Sequence, residues 1–366
     1  MSIDSLSLIS FRNHNNTYFE FSEGVTVIWG ENGSGKTSVL EAIHLLTYGK
    51  SFKTHKQTHL IKEDKKNALL KAVFLQKKVK NTITAQVEKN KSKIKVNGKQ
   101  VFNRKELIGQ NNVVVLSPEE QPITKGAPLQ RRQFVDKMFS VSNKKYINTL
   151  QEYNRALRQR NAVLQNIKEE RSKINQLPSW NSLLSNKAEK LWKERGYYIE
   201  RFKKFFLSTV EQYDKTLNVK VSYKTPTENN YIEILETLNK REKTDIIRGR
   251  TSYGPHKDDI SFIWEGKNLR EYGSQGEHKL TLFLLKVSEM LFLKKHTGGY
   301  PILLLDDLFA KLDLERSKKI VAMLSMFSDE EFKKTQTIIT TTDILNVENS
   351  GLLEKYNNSK TIKLQR

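Results

Sequence analysis

The chain contains no cysteine, which excludes disulfide bridges, thiolate zinc sites and thiol chemistry. No apolar run approaches the roughly 20 residues of a membrane span, and the first residues lack a basic-then-apolar secretory segment. The expectation is a soluble, cytoplasmic protein with no membrane partner. Histidine is sparse, with seven scattered along the chain. Four of them, His14, His55, His59 and His296, fall in polar segments and are expected at the surface, not clustered as the ligands a metal-dependent nuclease needs. Acidic residues are the minority: 41 Asp and Glu stand against 63 Lys and Arg, a formal net charge of +22. The excess is spread along the chain, so whole faces should carry positive potential and attract a polyanion, nucleic acid ahead of a membrane surface. A Lys-rich composition with merely solvated faces is the plainer reading of the same charge.

Against these absences stands one complete motif. Gly30, Glu31, Asn32, Gly33, Ser34, Gly35, Lys36 and Thr37 form the pattern G-x-x-x-x-G-K-T, followed by Ser38. Gly24–Trp29 reads as a buried strand before it, and Ser38–Leu46 as a helix after it. A strand, a Gly-rich turn and a helix N-terminus cradle an anion with backbone N–H groups. In that context Lys36 would reach the β/γ-phosphates and the Thr37 hydroxyl would hold Mg²⁺. The implied ligand is a nucleoside triphosphate.

The region up to about residue 115 reads as strands with one helix. Ile3–Leu8 partly alternates, Ala68–Leu75 fits a strand or a helix, Thr82–Val87 fits a strand, and Asn97-Gly98 looks like a hairpin turn. Val113–Leu116 is a short apolar strand. The pattern changes near residue 130. Apolar residues then follow a seam from Leu150 through Tyr153, Leu157, Leu164 and Ile167 to Ile174, break at Pro178, and resume through Leu184, Leu191, Tyr198 and Phe205. This predicts an antiparallel helical hairpin at about 143–214 with arms of about 45 Å. From residue 239 on, α/β character returns. The simplest organisation is an α/β nucleotide-binding domain split in sequence, 1–125 and 241–366, with a helical insertion at 126–240.

The second part supplies the acids such a site needs. Ile302–Leu305 is an apolar strand ending in Asp306, placed to hold Mg²⁺, and in Asp307, placed to orient or deprotonate the water that attacks the γ-phosphate. Upstream, Ser274-Gln275-Gly276 opens an apolar helix and could offer a hydroxyl and N–H groups to phosphate. Phosphate loop, helical insertion, Ser-x-Gly, double-acid strand, Leu312-Asp313 and Thr-rich strand follow one another in that order.

That order resembles the ABC-type ATPase heads that serve chromosomes. Over essentially its whole length the chain is similar to the RecF family of bacterial recombination-mediator ATPases. The match is carried by Phe11-Arg12-Asn13, the phosphate loop, Tyr48–Lys53, Leu116–Glu120, Lys125–Pro128, Arg131–Asp136, Gly254–Asp259, Ser274-Gln275-Gly276 and Leu303–Asp307. The resemblance implies a P-loop head that dimerises around two ATP molecules, with Ser274 and Gly276 of one subunit meeting the phosphates held by the other. It implies that Arg12 reaches the nucleotide, that hydrolysis is slow and DNA-stimulated, and that the nucleoid-associated protein binds duplex or gapped DNA and helps RecO and RecR load RecA. Three departures stand out: Glu277-His278 beside the signature, Phe309-Ala310-Lys311 before Leu312, and Thr340–Thr342 where transporter relatives carry a switch histidine.

For DNA, Lys50, Lys53 and Lys56 follow the phosphate-loop helix, Arg155, Arg158 and Arg160 lie along the first hairpin arm, and Lys203-Lys204 along the second. Such stripes track phosphates without reading bases. An SMC- or Rad-type head is disfavoured because the hairpin is short. A transporter nucleotide-binding subunit is disfavoured by the missing histidine, the basic balance and the insertion.

Overall fold

The computed structural model describes residues 1–76, 79–226, 230–307, 314–325, 335–354 and 358–365. The chain opens with strands β1 (Ser2–Phe11), β2 (His14–Glu20) and β3 (Val25–Gly30), the helix α1 (Lys36–Tyr48), and strands β4 (Asn67–Gln76), β5 (Val79–Glu88), β6 (Ser92–Val96), β7 (Lys99–Val101) and β8 (Val113–Leu116). Helices α2 (Pro122–Lys125), α3 (Pro128–Ser142), α4 (Lys144–Lys168) and α5 (Leu177–Tyr213) follow, then β9 (Val219–Lys224), α6 (Tyr231–Lys240), α7 (Glu242–Arg248), β10 (Asp259–Trp264), β11 (Lys267–Asn268) and α8 (Leu269–Tyr272). The return comprises α9 (Gln275–Thr297), β12 (Ile302–Asp306), α10 (Leu314–Ser325), β13 (Thr337–Thr341), α11 (Ile344–Asn349) and β14 (Ser359–Leu364).

These elements pack as two compact units. The first comprises Met1–Glu120, Gln212–Lys215 and Leu285–Arg366; the second comprises Gln121–Glu211 and Thr216–Leu284.

The first unit carries a parallel sheet of order β14-β3-β13-β12-β8. Strands β8, β12 and β13 are buried at every residue, as expected of parallel strands covered on both faces. Two of the five strands come from before residue 120 and three from after residue 300. One sheet is therefore assembled from both ends of the chain, and its strands' carboxyl ends collect Gly30, Leu116, Asp306 and Thr341 at one rim. The second sheet of this unit, β2-β1-β4-β5-β6-β7, is antiparallel. Strand β4 buries Ala68, Leu70, Ala72 and Phe74 and exposes or half-exposes the residues between them, a period of two that decides for strand over helix. Asn97 and Gly98, with φ of 49° and 81°, make the β6–β7 turn, where both positions need the left-handed region.

In the second unit α4 and α5 run antiparallel, tied by Lys145–Glu194, Lys187–Glu152 and the Arg160–Asn181 hydrogen bond. The arms are unequal. With 25 and 37 residues they span about 37 and about 55 Å, because Pro178 sits in the first turn of α5, where its missing N–H costs nothing, and so starts that arm. A small sheet, β11-β10-β9, completes the unit.

The sequence motifs without an obvious role form this unit's polar core. Arg195, 2% exposed at its side chain, donates to Asp258 at 2.6 Å, to the Pro255 carbonyl at 2.7 Å and to both oxygens of Asp136 at 3.1 and 3.2 Å. Asp258 also accepts from Trp192 at 2.8 Å and Tyr223 at 2.7 Å. Arg131 donates to Asp259 at 2.8 Å, and Arg132 to the Asp258 carbonyl at 2.5 Å. The segments Arg131–Asp136 and Gly254–Asp259 thus satisfy one another's charges. Gly254, at φ 137°, is required because a Cβ there would lie 2.6 Å from the Tyr153 hydroxyl. That hydroxyl donates to His256 Nδ1 at 2.5 Å, while Nε2–H donates to the Thr251 carbonyl at 3.1 Å. Burial holds the His256 pKa down at about 4, so the ring is neutral.

Candidate nucleotide-binding site

The loop from Gly30 to Thr37 joins the carboxyl end of β3 to the first turn of α1. Glu31 and Asn32 are exposed, Ser34 is buried and Ser38 is half-buried. Gly35 caps α1 at φ 97°, and a Cβ there would meet Asn13 Oδ1 and His14 Nε2 at 2.6 Å. Both neighbours brace the loop: Asn13 Nδ2 donates to the Gly33 carbonyl at 2.8 Å and His14 Nε2 to the Gly35 carbonyl at 3.2 Å. His14 is 6% exposed, which corrects its expected surface position. Burial lowers its pKa, leaving a neutral ring whose other nitrogen accepts from Thr17 at 3.2 Å.

Lys36 Nζ folds back over the loop, donating to the carbonyls of Gly30 at 2.8 Å and Glu31 at 2.7 Å. Burial lowers its pKa, opposed by Asp307 and Asp306. The Thr37 hydroxyl donates to Asp306 at 2.8 Å, and Thr340, on the strand between, donates to the same carboxylate at 2.5 Å. Asp306 is 7% exposed; desolvation raises its pKa, and the two hydroxyls hold it partly down. Thr340 is thus a hydrogen-bond partner of Asp306, a contact not seen in the sequence.

Asp307 adopts a left-handed φ of 53°, held by its N–H donating to the Thr340 carbonyl at 3.0 Å. For a non-glycine residue this conformation costs on the order of 1 kcal/mol. The carboxylates of Asp307 and Asp306 both act on Lys36. Asp307 Oδ1, Ser34 Oγ and Glu119 Oε2 are buried without a hydrogen-bond partner. These orphaned oxygens, the Thr37 hydroxyl and Asp306 are hard oxygen donors of the kind Mg²⁺ takes.

Glu119 follows β8, which pairs with β12 through Leu116 and Leu305, and its charge is felt at Asp306. Lys53 lies 3.6 Å from it. One lysine of the expected DNA stripe therefore stands at the acidic rim of the loop. Lys50 and Lys56 are exposed.

Arg12, also at positive φ, makes a bidentate pair with Glu41 of α1 at 2.7 and 2.8 Å, and Glu41 accepts from Ser51 as well. The segments Phe11–Asn13 and Lys50–Phe52 meet at this fully buried carboxylate.

Ser274 and Gly276 belong to the second unit. Ser274 caps α9 in a reciprocal box: its N–H donates to Glu277 at 2.7 Å and its hydroxyl accepts from the Glu277 N–H at 3.3 Å. The carboxylate of Glu277 is thereby turned back onto the cap. The Ser274 side chain is exposed and keeps its own proton to donate. His278 is buried, with its pKa lowered by desolvation. Arg155 and Arg158 are exposed on α4, but Arg160 is fully buried against Asp245, Thr251 and Asn181 and is removed from the expected basic stripe. Phe309–Asp313 lie outside the described residues.

Residues 2–361 match the family model described as RecF/RecN/SMC N terminal domain. The chain is 34% identical over 350 residues to the DNA replication and repair protein RecF of Clostridium botulinum strain Okra, covering 94% of this chain and 93% of that protein. The chain belongs to the RecF family. The RecF of Lachnoclostridium phytofermentans is 32% identical over 346 residues, with 94% and 93% covered. Among solved structures, the recombination mediator RecF-ATP superposes with a TM-score of 0.83 at 30% identity, covering 93% of this chain and 92% of that one. The SMC head of Pyrococcus furiosus, at 17% identity and a TM-score of 0.58, shares the fold. The architecture is that of a RecF-type, ABC/SMC-like ATPase head, as the order of motifs implied.

Proposed function

We propose that this protein is an ATP-switched DNA-binding protein of replication and recombinational repair. The observation that carries the reading is the convergence of Lys36, Thr37, Asp306 and Asp307 at one rim of a sheet built from both ends of a RecF-type chain. Loop N–H groups and Lys36 bind the triphosphate, Lys36 leaving its carbonyl partners for the phosphates. Thr37 and Asp306 hold Mg²⁺, which when bound neutralises charge on the phosphate oxygens. Asp307, with a free buried oxygen, orients the attacking water and takes its proton.

The exposed Ser274 hydroxyl at a helix N-terminus suits a phosphate presented by a second subunit, so ATP acts as glue for a homodimer in which Ser274 and Gly276 act in trans. Slow, DNA-stimulated hydrolysis resets the dimer. The solved relative is described as a recombination mediator of the RecFOR pathway. On that basis RecO and RecR are the partners, and loading of RecA at gapped DNA is the outcome. An SMC-type rod is disfavoured by arms of 25 and 37 residues.

The test uses the Asp307→Asn protein with Mg²⁺-ATP and then ADP, on a gapped and on a fully paired duplex at about 150 mM salt, where weak exposed contacts are screened. Tighter ATP-dependent binding to the gapped DNA is expected. Equal binding with either nucleotide would contradict the reading.

A further inference from the structure

The antiparallel sheet of the first unit buries one face, and its other face is open. Two rows of paired residues cross it. One runs Tyr18, Ser7, Lys71, Thr84, Lys95, Gln100 across six strands. The next runs Asn16, Ile9, Leu69, Gln86, Lys93. All but Tyr18 and Asn16 line a shallow groove of about 470 Å³. Lys71, Lys93 and Lys95 are exposed, and neither row contains a carboxylate. Every polar side chain in them can donate a hydrogen bond.

The geometry points to this face as a binding surface for the sugar-phosphate backbone of duplex DNA, a site that rests on the DNA-binding reading above and gives it a location. Lys, Ser, Thr, Asn, Gln and Tyr are the side chains that contact phosphate oxygens without reading sequence. At strand dimensions Lys93 and Lys95 stand about 6.6 Å apart and Lys71 and Lys95 about 10 Å apart, far enough for each lysine to meet a separate phosphate. Ile9 and Leu69, 40% and 42% exposed, offer apolar contact to the sugars between. A single-strand site would need several aromatic platforms, and Tyr18 is the one aromatic in these rows. Exposed Lys66 and Lys89 stand at the neighbouring strand ends beside Glu88, whose charge is paired with Lys91 at 3.4 Å. Of the cations read from sequence, Arg160 is buried and Lys53 lies 3.6 Å from Glu119, while Lys50, Lys56, Arg155 and Arg158 stay exposed.

The test is the full-length Lys71→Gln/Lys93→Gln/Lys95→Gln protein, titrated onto a blunt duplex with a slowly hydrolysed ATP analogue between 50 and 200 mM salt. The expected result is about ten-fold weaker binding at the lower salt, with the slope of log affinity against log salt reduced by about 2 to 3. Nucleotide affinity should be unchanged, which verifies the fold. Wild-type binding with both affinity and slope unaltered in the variant would overturn the surface alone. Failure of the wild type to bind duplex under any nucleotide would overturn the DNA-binding reading with it.

Discussion

The chemistry of single residues at the loop is set by what each has given up to burial. Lys36 is desolvated and satisfied by two carbonyls, and Asp306 is desolvated and satisfied by two hydroxyls. Each is thus held ready for an ionic ligand that restores its charge partner. Lys36→Met is expected to abolish ATP binding in calorimetry, and undiminished affinity would remove the loop from the account. A second residue-scale expectation concerns His256. Its folded pKa, about 4, lies below the unfolded value of 6.5, so its contribution is present above pH 6.5 and is lost as pH falls towards 4. The loss at its limit is about 3 kcal/mol. Urea midpoints at pH 7 and pH 5 should separate more for the wild type than for His256→Gln; equal separations would deny the histidine that role. The residues assigned to phosphate and metal were legible in the sequence because the spacing of such a loop is dictated by its ligand. Asn13, His14 and Thr340 were not, since only the tertiary fold brings the β1–β2 turn and strand β13 to the loop.

At the level of elements, the sequence showed where strands and helices lie but not what the charged motifs between them do. The strands β3, β8, β12 and β13 were readable as apolar runs, and β4 was ambiguous until its period-two burial appeared. The hairpin was readable from its seam. Its unequal arms were not, because Pro178 both breaks and starts a helix. Arg160 looked like its exposed neighbours Arg155 and Arg158, yet it faces Asp245 at 2.8 Å with neither side chain accessible. Periodicity could not show that, since a cation is buried only where distant acids meet it. The same holds for the Gly254–Asp259 segment. Asp258→Asn should lower the stability of the second unit by about 3 kcal/mol, because it leaves Arg195 buried with one of its two carboxylate partners. ATP binding should persist at temperatures below that unit's unfolding. A loss under 1 kcal/mol by chemical denaturation would show that the network is not needed for the fold.

For the whole molecule, the sequence carried the family and hence the head architecture, while the two compact units and their boundaries came only with the structure. The central claim is that ATP in the loop of one subunit is completed by the Ser274 cap of another. Sedimentation velocity of Asp307→Asn, alone and combined with Ser274→Arg, tests it most directly. The single variant should sediment as a dimer with Mg²⁺-ATP and as a monomer with ADP, and the double variant as a monomer with both while its ATP affinity is unchanged. A double variant that still dimerises with ATP, or a single variant that never does, would contradict the account.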